Sequence, residues 1–301
     1  MLIAKDGWLD ERVTKAIGAP TFPTMPVTLP PIIGNWFDAR GWRPRRHHME
    51  MLAAARQGDH ALLVAPTGAG KTLAGFLPTL ADLIDHPTEG LHTLYVSPLK
   101  ALAVDVRRNL LTPIEEMGLP IRVETRTGDT PSDRKARQRA RPPQILLTTP
   151  ESLSLLLSYP DAQIMFAHLR TIIVDEVHAF ATQKRGDLLN LSMARLQTIN
   201  PDLRRVALSA TVADVDAYRA WLAPDGDIGA VTPVLGEAGA DPHVAILIPE
   251  GRVPWSGHSG RYAAAQVMAE IQSRGTTLIF CNTRGLAELI FQDLWSANDA
   301  N

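Results

Sequence analysis

The sequence predicts an α/β fold, a parallel sheet with helices on both faces. Two observations carry that expectation. Across residues 61–222, apolar runs of strand length alternate with stretches of helical periodicity, the pattern of successive βαβ units. The first run opens directly into Ala65-Pro-Thr-Gly-Ala-Gly-Lys-Thr72, a small-residue turn between strand and helix, which is the layout of a phosphate-binding loop.

The elements follow in order. Residues 1–31 lose apolar periodicity after Ile17 and are punctuated by Pro20, Pro23, Pro26, Pro30 and Pro31, so they read as a poorly ordered lead-in. Residues 32–58 read as partly amphipathic helix, with Trp36, Phe37 and Trp42 ahead of a basic Arg43-Pro-Arg-Arg-His-His48 stretch. Strands are expected at 61–65, 92–97, 121–126, 144–148, 171–175 and 204–209. Between them, Leu73, Phe76, Leu77, Leu80 and Leu83 mark one helix, and others fall near 99–111, 131–140, 151–158, 186–199 and 213–222. Residues 32–223 thus form a first domain. The Gly- and Pro-rich stretch 224–260, with one strand-like run at 244–248, reads as a linker or small insertion. A helix (261–273), a strand (276–281) and a helix (284–295) then begin a new α/β unit too small to bury its own core. Residues 261–301 are therefore expected to be the incomplete start of a second domain.

Bulk properties narrow the class. A chain of 301 residues, 45% hydrophobic and 21% charged, is expected to be globular with about two domains. The net charge of −2 provides no whole-chain attraction for nucleic acid, so such a site must be a local patch. The single cysteine, Cys281, excludes an intrachain disulfide and cysteine-based zinc ligation. No run is long and apolar enough to span a membrane, and no secretory leader is visible. A cytoplasmic protein is expected.

Candidate chemistry gathers at strand ends, where parallel sheets place their sites. In the loop Pro66, Thr67, Gly68, Ala69 and Gly70, the glycines leave room for backbone N–H groups to face a polyphosphate, although the strict pattern wants glycine at Ala65. Lys71 would neutralise phosphate charge and Thr72 would ligate Mg²⁺. Ile172-Ile-Val-Asp-Glu-Val-His178 is an apolar strand ending in two carboxylates. Asp175 would hold Mg²⁺ and Glu176 would orient and deprotonate an attacking water. His178 is either a surface histidine or a link from the metal site to a neighbouring strand end. Ser209-Ala-Thr211 is either a helix cap or a relay of nucleotide state. Arg134, Lys135, Arg137, Arg139 and Arg141 form either a solvated helix face or an electrostatic rim.

Together with Ser97-Pro-Leu-Lys-Ala-Leu102, Thr127-Gly-Asp-Thr130 and Thr148-Thr-Pro-Glu-Ser-Leu153, these segments stand in the order of superfamily-two helicase motifs. The chain resembles the DEVH-box large helicase-related (Lhr) family, most of all its ligase-associated DEXH-box members. Ala74-Gly-Phe-Leu-Pro78, Val253-Pro-Trp-Ser-Gly-His258 and Leu278-Ile-Phe-Cys-Asn-Thr-Arg284 carry the narrower likeness. The resemblance implies two RecA-like domains and an ATP- and Mg²⁺-dependent motor on single-stranded or tailed DNA, with RNA an alternative. It also implies a role in DNA repair and a ligase or nuclease partner. It assigns Ser97 and Lys100, Thr127, Gly128 and Asp129, and Thr149, Pro150, Glu151 and Ser152 to one nucleic-acid strand. Where the family often has an adenine-reading glutamine, this chain has His48. In the family a second domain adds arginines to the transferring phosphoryl group. The 301 residues by themselves are therefore expected to turn ATP over very slowly, or to act only as a binding module.

Overall fold

The computed structural model describes residues 27–181, 183–210, 212, 214–237, 243–248 and 260–299. The chain divides into two compact units, Met1–Gly239 and Ala240–Asn301.

The first unit is built on a seven-stranded sheet. Two helices lead in, α1 (Pro31–Ala39) and α2 (Arg46–Gln57). Proline at the first turn of α1 costs no hydrogen bond, and Ile33, Trp36 and Phe37 bury one face of it. Helix α2 stops at Gly58, whose φ of 81° is the left-handed conformation that glycine tolerates. The chain then alternates through β1 (His60–Val64), α3 (Lys71–Asp85), β2 (Thr93–Val96), α4 (Lys100–Glu116), β3 (Val123–Arg126) and α5 (Ser132–Ala140). It continues with β4 (Ile145–Thr148), α6 (Pro150–Leu157), α7 (Ala162–Met165), β5 (Thr171–Val174), α8 (Lys184–Ile199), β6 (Arg204–Ser209), α9 (Val215–Leu222) and β7 (Val231–Leu235).

The strands lie in the order β3-β4-β2-β5-β6-β1-β7, every pair parallel. Successive residues of a strand point to opposite faces, and the core divides accordingly. Ala61, Leu63, Tyr95, Ile173, Val206 and Leu208 pack under α1 to α4. Leu62, Val64, Leu94, Ile172, Val174 and Ala207 pack under α6 to α9.

The segment 224–260 departs from the expected linker. Residues 231–235 are β7, the edge strand beside β1, in register from His60↔Val231 to Val64↔Leu235. Pro233 within it disguises the strand, and proline is tolerated there because an edge strand has one side without a ladder. Residues 244–248, expected as a strand, form no regular element, and Val244, Ile246 and Ile248 are exposed.

The second unit contains a 3₁₀ turn at Arg261–Ala263, α10 (Ala264–Gln272) and α11 (Arg284–Asp299). Arg261 is bonded to Asp293 at 2.6 and 2.8 Å. The strand expected at 276–281 is not formed among the described residues, and Leu278 and Phe280 are exposed. An apolar run becomes a strand only with a neighbour to bond. No helix of the described residues is long and apolar enough to cross a membrane.

Candidate functional site

The strand order sorts the motifs in a way their sequence order does not. Along the carboxyl edge of the sheet, β6 lies between β5 and β1. The Asp175-Glu176 end and the glycine turn therefore flank Ser209, two strand spacings apart, or about 10 Å. Ala65 N–H donates to the Ser209 carbonyl at 3.0 Å, tying the start of the loop to β6.

Gly68 and Gly70 both take φ 81°, which turns the backbone back on itself. Lys71 begins α3 and is largely buried, while Thr72 beside it is half-buried. Helix α3 seats closely on β6, since a Cβ at Gly75 would come within 2.9 Å of Leu208. A stacked pair, His47 and His48 at 4.6 Å between centroids, supports the turn from behind. His47 Nε2–H donates to the Ala69 carbonyl at 2.9 Å. Arg45 N–H donates to His48 Nδ1 at 2.9 Å, so the neutral ring carries its proton on Nε2. That Nε2 is buried without a partner and lies 3.3 Å from where a Cβ on Gly70 would sit. Burial lowers both imidazoles, and His48, beside His47 and Arg45, falls to about 4.

Asp175 extends β5 by one rung, its N–H donating to the Val96 carbonyl at 2.9 Å. It stands two residues after Ile173 and so faces the α3 side. Its carboxylate accepts from Glu176 N–H at 2.9 Å through Oδ1 and from the Tyr95 hydroxyl through Oδ2. Burial, reinforced by Asp175 and Glu176, raises the Tyr95 phenol and keeps it a donor. Glu176 has φ 49° and ψ 48°, a left-handed conformation that among the described residues no other non-glycine adopts. Such strain persists only where surroundings enforce it, and it clusters at functional sites. His178 Nδ1 lies 2.8 Å from Ser209 Oγ and 3.4 Å from a Glu176 carboxylate oxygen. The imidazole thus joins the acidic strand end to β6. Thr211 lies outside the described residues.

The remaining candidates fall on the adjacent half of the edge, β3-β4-β2. Ser97 is fully buried, its hydroxyl donating to the Leu99 carbonyl at 3.3 Å. Lys100 Nζ is bonded to both Asp129 oxygens at 2.9 Å. Thr127 N–H donates to Thr130 Oγ1 at 3.0 Å, and Lys135 Nζ donates to the Gly128 carbonyl at 2.8 Å. Thr149 caps α6 by accepting from Ser152 N–H at 3.5 Å, and Pro150 occupies the first turn. Glu151 is held by Arg185 at 2.5 and 3.2 Å. The basic segment of α5 is largely committed as well. Arg137 bonds Glu124 at 3.2 Å, and Arg139 lies over Tyr159 at 4.0 Å and near Asp161 at 3.6 Å.

Sequence reasoning passed over Tyr95, Arg185 and the loop-supporting role of His47. A tyrosine in an apolar strand and an arginine at a helix start carry no local signal of their partners, which are 80 and 34 residues away.

Fold and site define a P-loop domain of RecA-like type. Residues 45–218 match the DEAD/DEAH box helicase model, and the chain belongs to that family. Its relatives include Lhr helicases. The Escherichia coli Lhr helicase/uracil glycosylase is 34% identical over 300 residues, covering 88% of this chain and 19% of that protein. ATP-dependent helicase Lhr-Core of Methanothermobacter thermautotrophicus is 33% identical over 307 residues, covering 89% of this chain and 33% of that protein. The solved structure of Mycobacterium smegmatis helicase Lhr bound to ssDNA and AMP-PNP aligns with a TM-score of 0.76 at 34% identity, covering 90% of this chain and 36% of that one. The chain therefore spans about a fifth to a third of the length of these curated relatives.

Proposed function

We propose that this chain carries the ATP-binding motor domain of an Lhr-type helicase, which couples ATP hydrolysis to movement along single-stranded nucleic acid. The observation that carries this reading is the placement of β6 between the Lys71 turn and the Asp175-Glu176 strand end. A triphosphate bridging that gap would meet Lys71 and the loop N–H groups of Thr67, Gly68 and Gly70 on one side and two carboxylates on the other. His48 Nε2–H is buried against Gly70 behind the loop and would reach a nucleotide only if the loop shifts.

Among the described residues, no group of three or more His, Cys, Asp or Glu side chains is placed to hold a metal alone. Thr72 and Asp175 nevertheless suit Mg²⁺, which takes few protein oxygens and completes its shell with phosphates and water. When bound, Mg²⁺ would neutralise charge on the β- and γ-phosphates. Glu176 would orient and deprotonate the attacking water. Its contact with His178, and that of His178 with Ser209, makes these two the relay from the acidic end to β6. Thr211 belongs to the same proposed relay by its place in the sequence.

The loops ending β2, β3 and β4 would hold one strand by its backbone through Lys100, Thr127 and Gly128, and Thr149 to Ser152, without reading bases, with Asp129 holding Lys100 until the strand displaces it. Single-stranded DNA is the favoured substrate, following the ssDNA bound to the M. smegmatis relative. RNA, a repair role and a ligase or nuclease partner rest on family resemblance. Residues 261–301 are proposed as the opening of a second RecA-like domain.

The test titrates the chain with a fluorescent ATP analogue and with single-stranded DNA and RNA, and measures ATP turnover in the full-length helicase that carries it, each beside Glu176→Gln. The variant should retain nucleotide affinity while turnover falls about 10²–10⁴-fold. Equal turnover would remove Glu176 from the chemistry.

A further inference from the structure

We propose that Tyr95 is a positioning residue for the metal-binding carboxylate; this rests on the reading of Asp175 given above. Tyr95 sits in the middle of β2, paired with Ile173 of β5 on one side and Leu147 of β4 on the other. It is fully buried. A buried phenol needs an acceptor for its hydroxyl, and this one donates to Asp175 Oδ2. Glu176 N–H occupies the other oxygen. Two donors, one on β2 and one just past the end of β5, thus fix the rotation of the carboxylate plane.

The ring has a second neighbour of functional weight. Phe76, on the helix that begins at Lys71, stacks on Tyr95 with centroids 5.4 Å apart and planes 25° apart. One side chain therefore touches both the helix of the phosphate turn and the acidic strand end. Where it sits is also informative. Strand β2 is the last of the three whose ends carry the nucleic-acid candidates, and β5 is the first of the three around the triphosphate gap. The Tyr95–Asp175 bond crosses that boundary. Partners that orient a metal ligand from outside the coordination sphere are typically worth about 10–100-fold in metal affinity.

Tyr95→Phe removes the hydroxyl and keeps the ring on Phe76. The experiment measures binding of a non-hydrolysable ATP analogue to the 301-residue chain as Mn²⁺ is titrated, with Mn²⁺ followed by electron paramagnetic resonance. Three variants accompany the parent: Tyr95→Phe, Asp175→Asn and the double variant. Tyr95→Phe should raise the Mn²⁺ concentration at half-saturation about 10-fold or more, leave metal-free nucleotide affinity unchanged, and have no further effect once Asp175→Asn is present. An unshifted metal dependence in Tyr95→Phe, with Asp175→Asn shifted, overturns the proposal alone. A fall in melting temperature accompanied by equal loss of metal-free affinity also overturns it, because the tyrosine would then be core packing only. An unshifted Asp175→Asn overturns the site reading and this inference with it.

Discussion

The two halves of the carboxyl edge differ in how their polar groups are spent. Around β5, β6 and β1 the chain holds groups in costly or open states. Glu176 is left-handed, and His48 Nε2 is buried without a partner. Around β3, β4 and β2 the candidates are already bonded to protein: Lys100 to Asp129, Gly128 to Lys135, Thr149 to Ser152 and Glu151 to Arg185. On the proposed reading, the first half would take a compact ligand of fixed shape. In the second half a nucleic-acid backbone would have to displace bonds that exist, which would make its grip weaker and more dependent on salt.

Acid separates the halves most sharply. His48 is held at about 4 by burial, against an ordinary 6.5. The folded state therefore binds fewer protons than the unfolded one, and stability from this site is complete above pH 6.5 and lost as pH falls towards about 4. The shift corresponds to about 3 kcal/mol. In the other half, the Glu151 carboxyl is held below its ordinary 4.5 chiefly by its bond to Arg185, so loss there begins only under about pH 4.5. Denaturant melts across pH 7 to 4 should show a slope that His48→Gln reduces, the buried His47 and His60 imidazoles carrying the rest. A slope unchanged by the substitution would mean that His48 is not acid-sensitive.

Lys71→Ala should weaken triphosphate binding by about 10–100-fold, the worth of charge-assisted hydrogen bonds of about 1.5–3 kcal/mol. The fluorescent analogue measures this, and retained affinity would break the contrast at its strongest point. Thr149→Ala removes a cap of about 0.5–1 kcal/mol. It should lower the melting temperature slightly while nucleotide affinity stays constant. Asp129→Asn should have the smallest effect, releasing Lys100 from an exposed pair worth about 0.2–1 kcal/mol. Single-strand affinity should rise a few-fold at low salt, with the gain shrinking at higher salt. A loss of affinity instead would make Asp129 a contact to the strand rather than a competitor for Lys100.

Much of this was legible before any coordinates. Continuous apolar runs placed β1, β2 and β4 to β6 within a residue or two, because strands covered on both faces are largely apolar, and the edge strand β3, Val-Glu-Thr-Arg, fell within two residues of its expected start. The Gly-Ala-Gly-Lys-Thr turn announced itself because only small residues tolerate its backbone. Strand β7 was hidden because an edge strand needs only Val231 and Val234 inward and tolerates Pro233. The run at 276–281 misled for the opposite reason, since its apolar pattern is that of a strand but pairing requires a partner.

The sequence by itself determined which residues are candidates for chemistry and that they lie at strand ends, since local chain geometry and side-chain type suffice for both. The strand order was decided only in three dimensions. Sheet pairing is set by packing of distant segments, and nothing local to Thr127 or Ser209 says which strand lies beside it. That order divides six motifs between the two halves of the carboxyl edge, and it brings Tyr95 to Asp175 and His178 to Ser209.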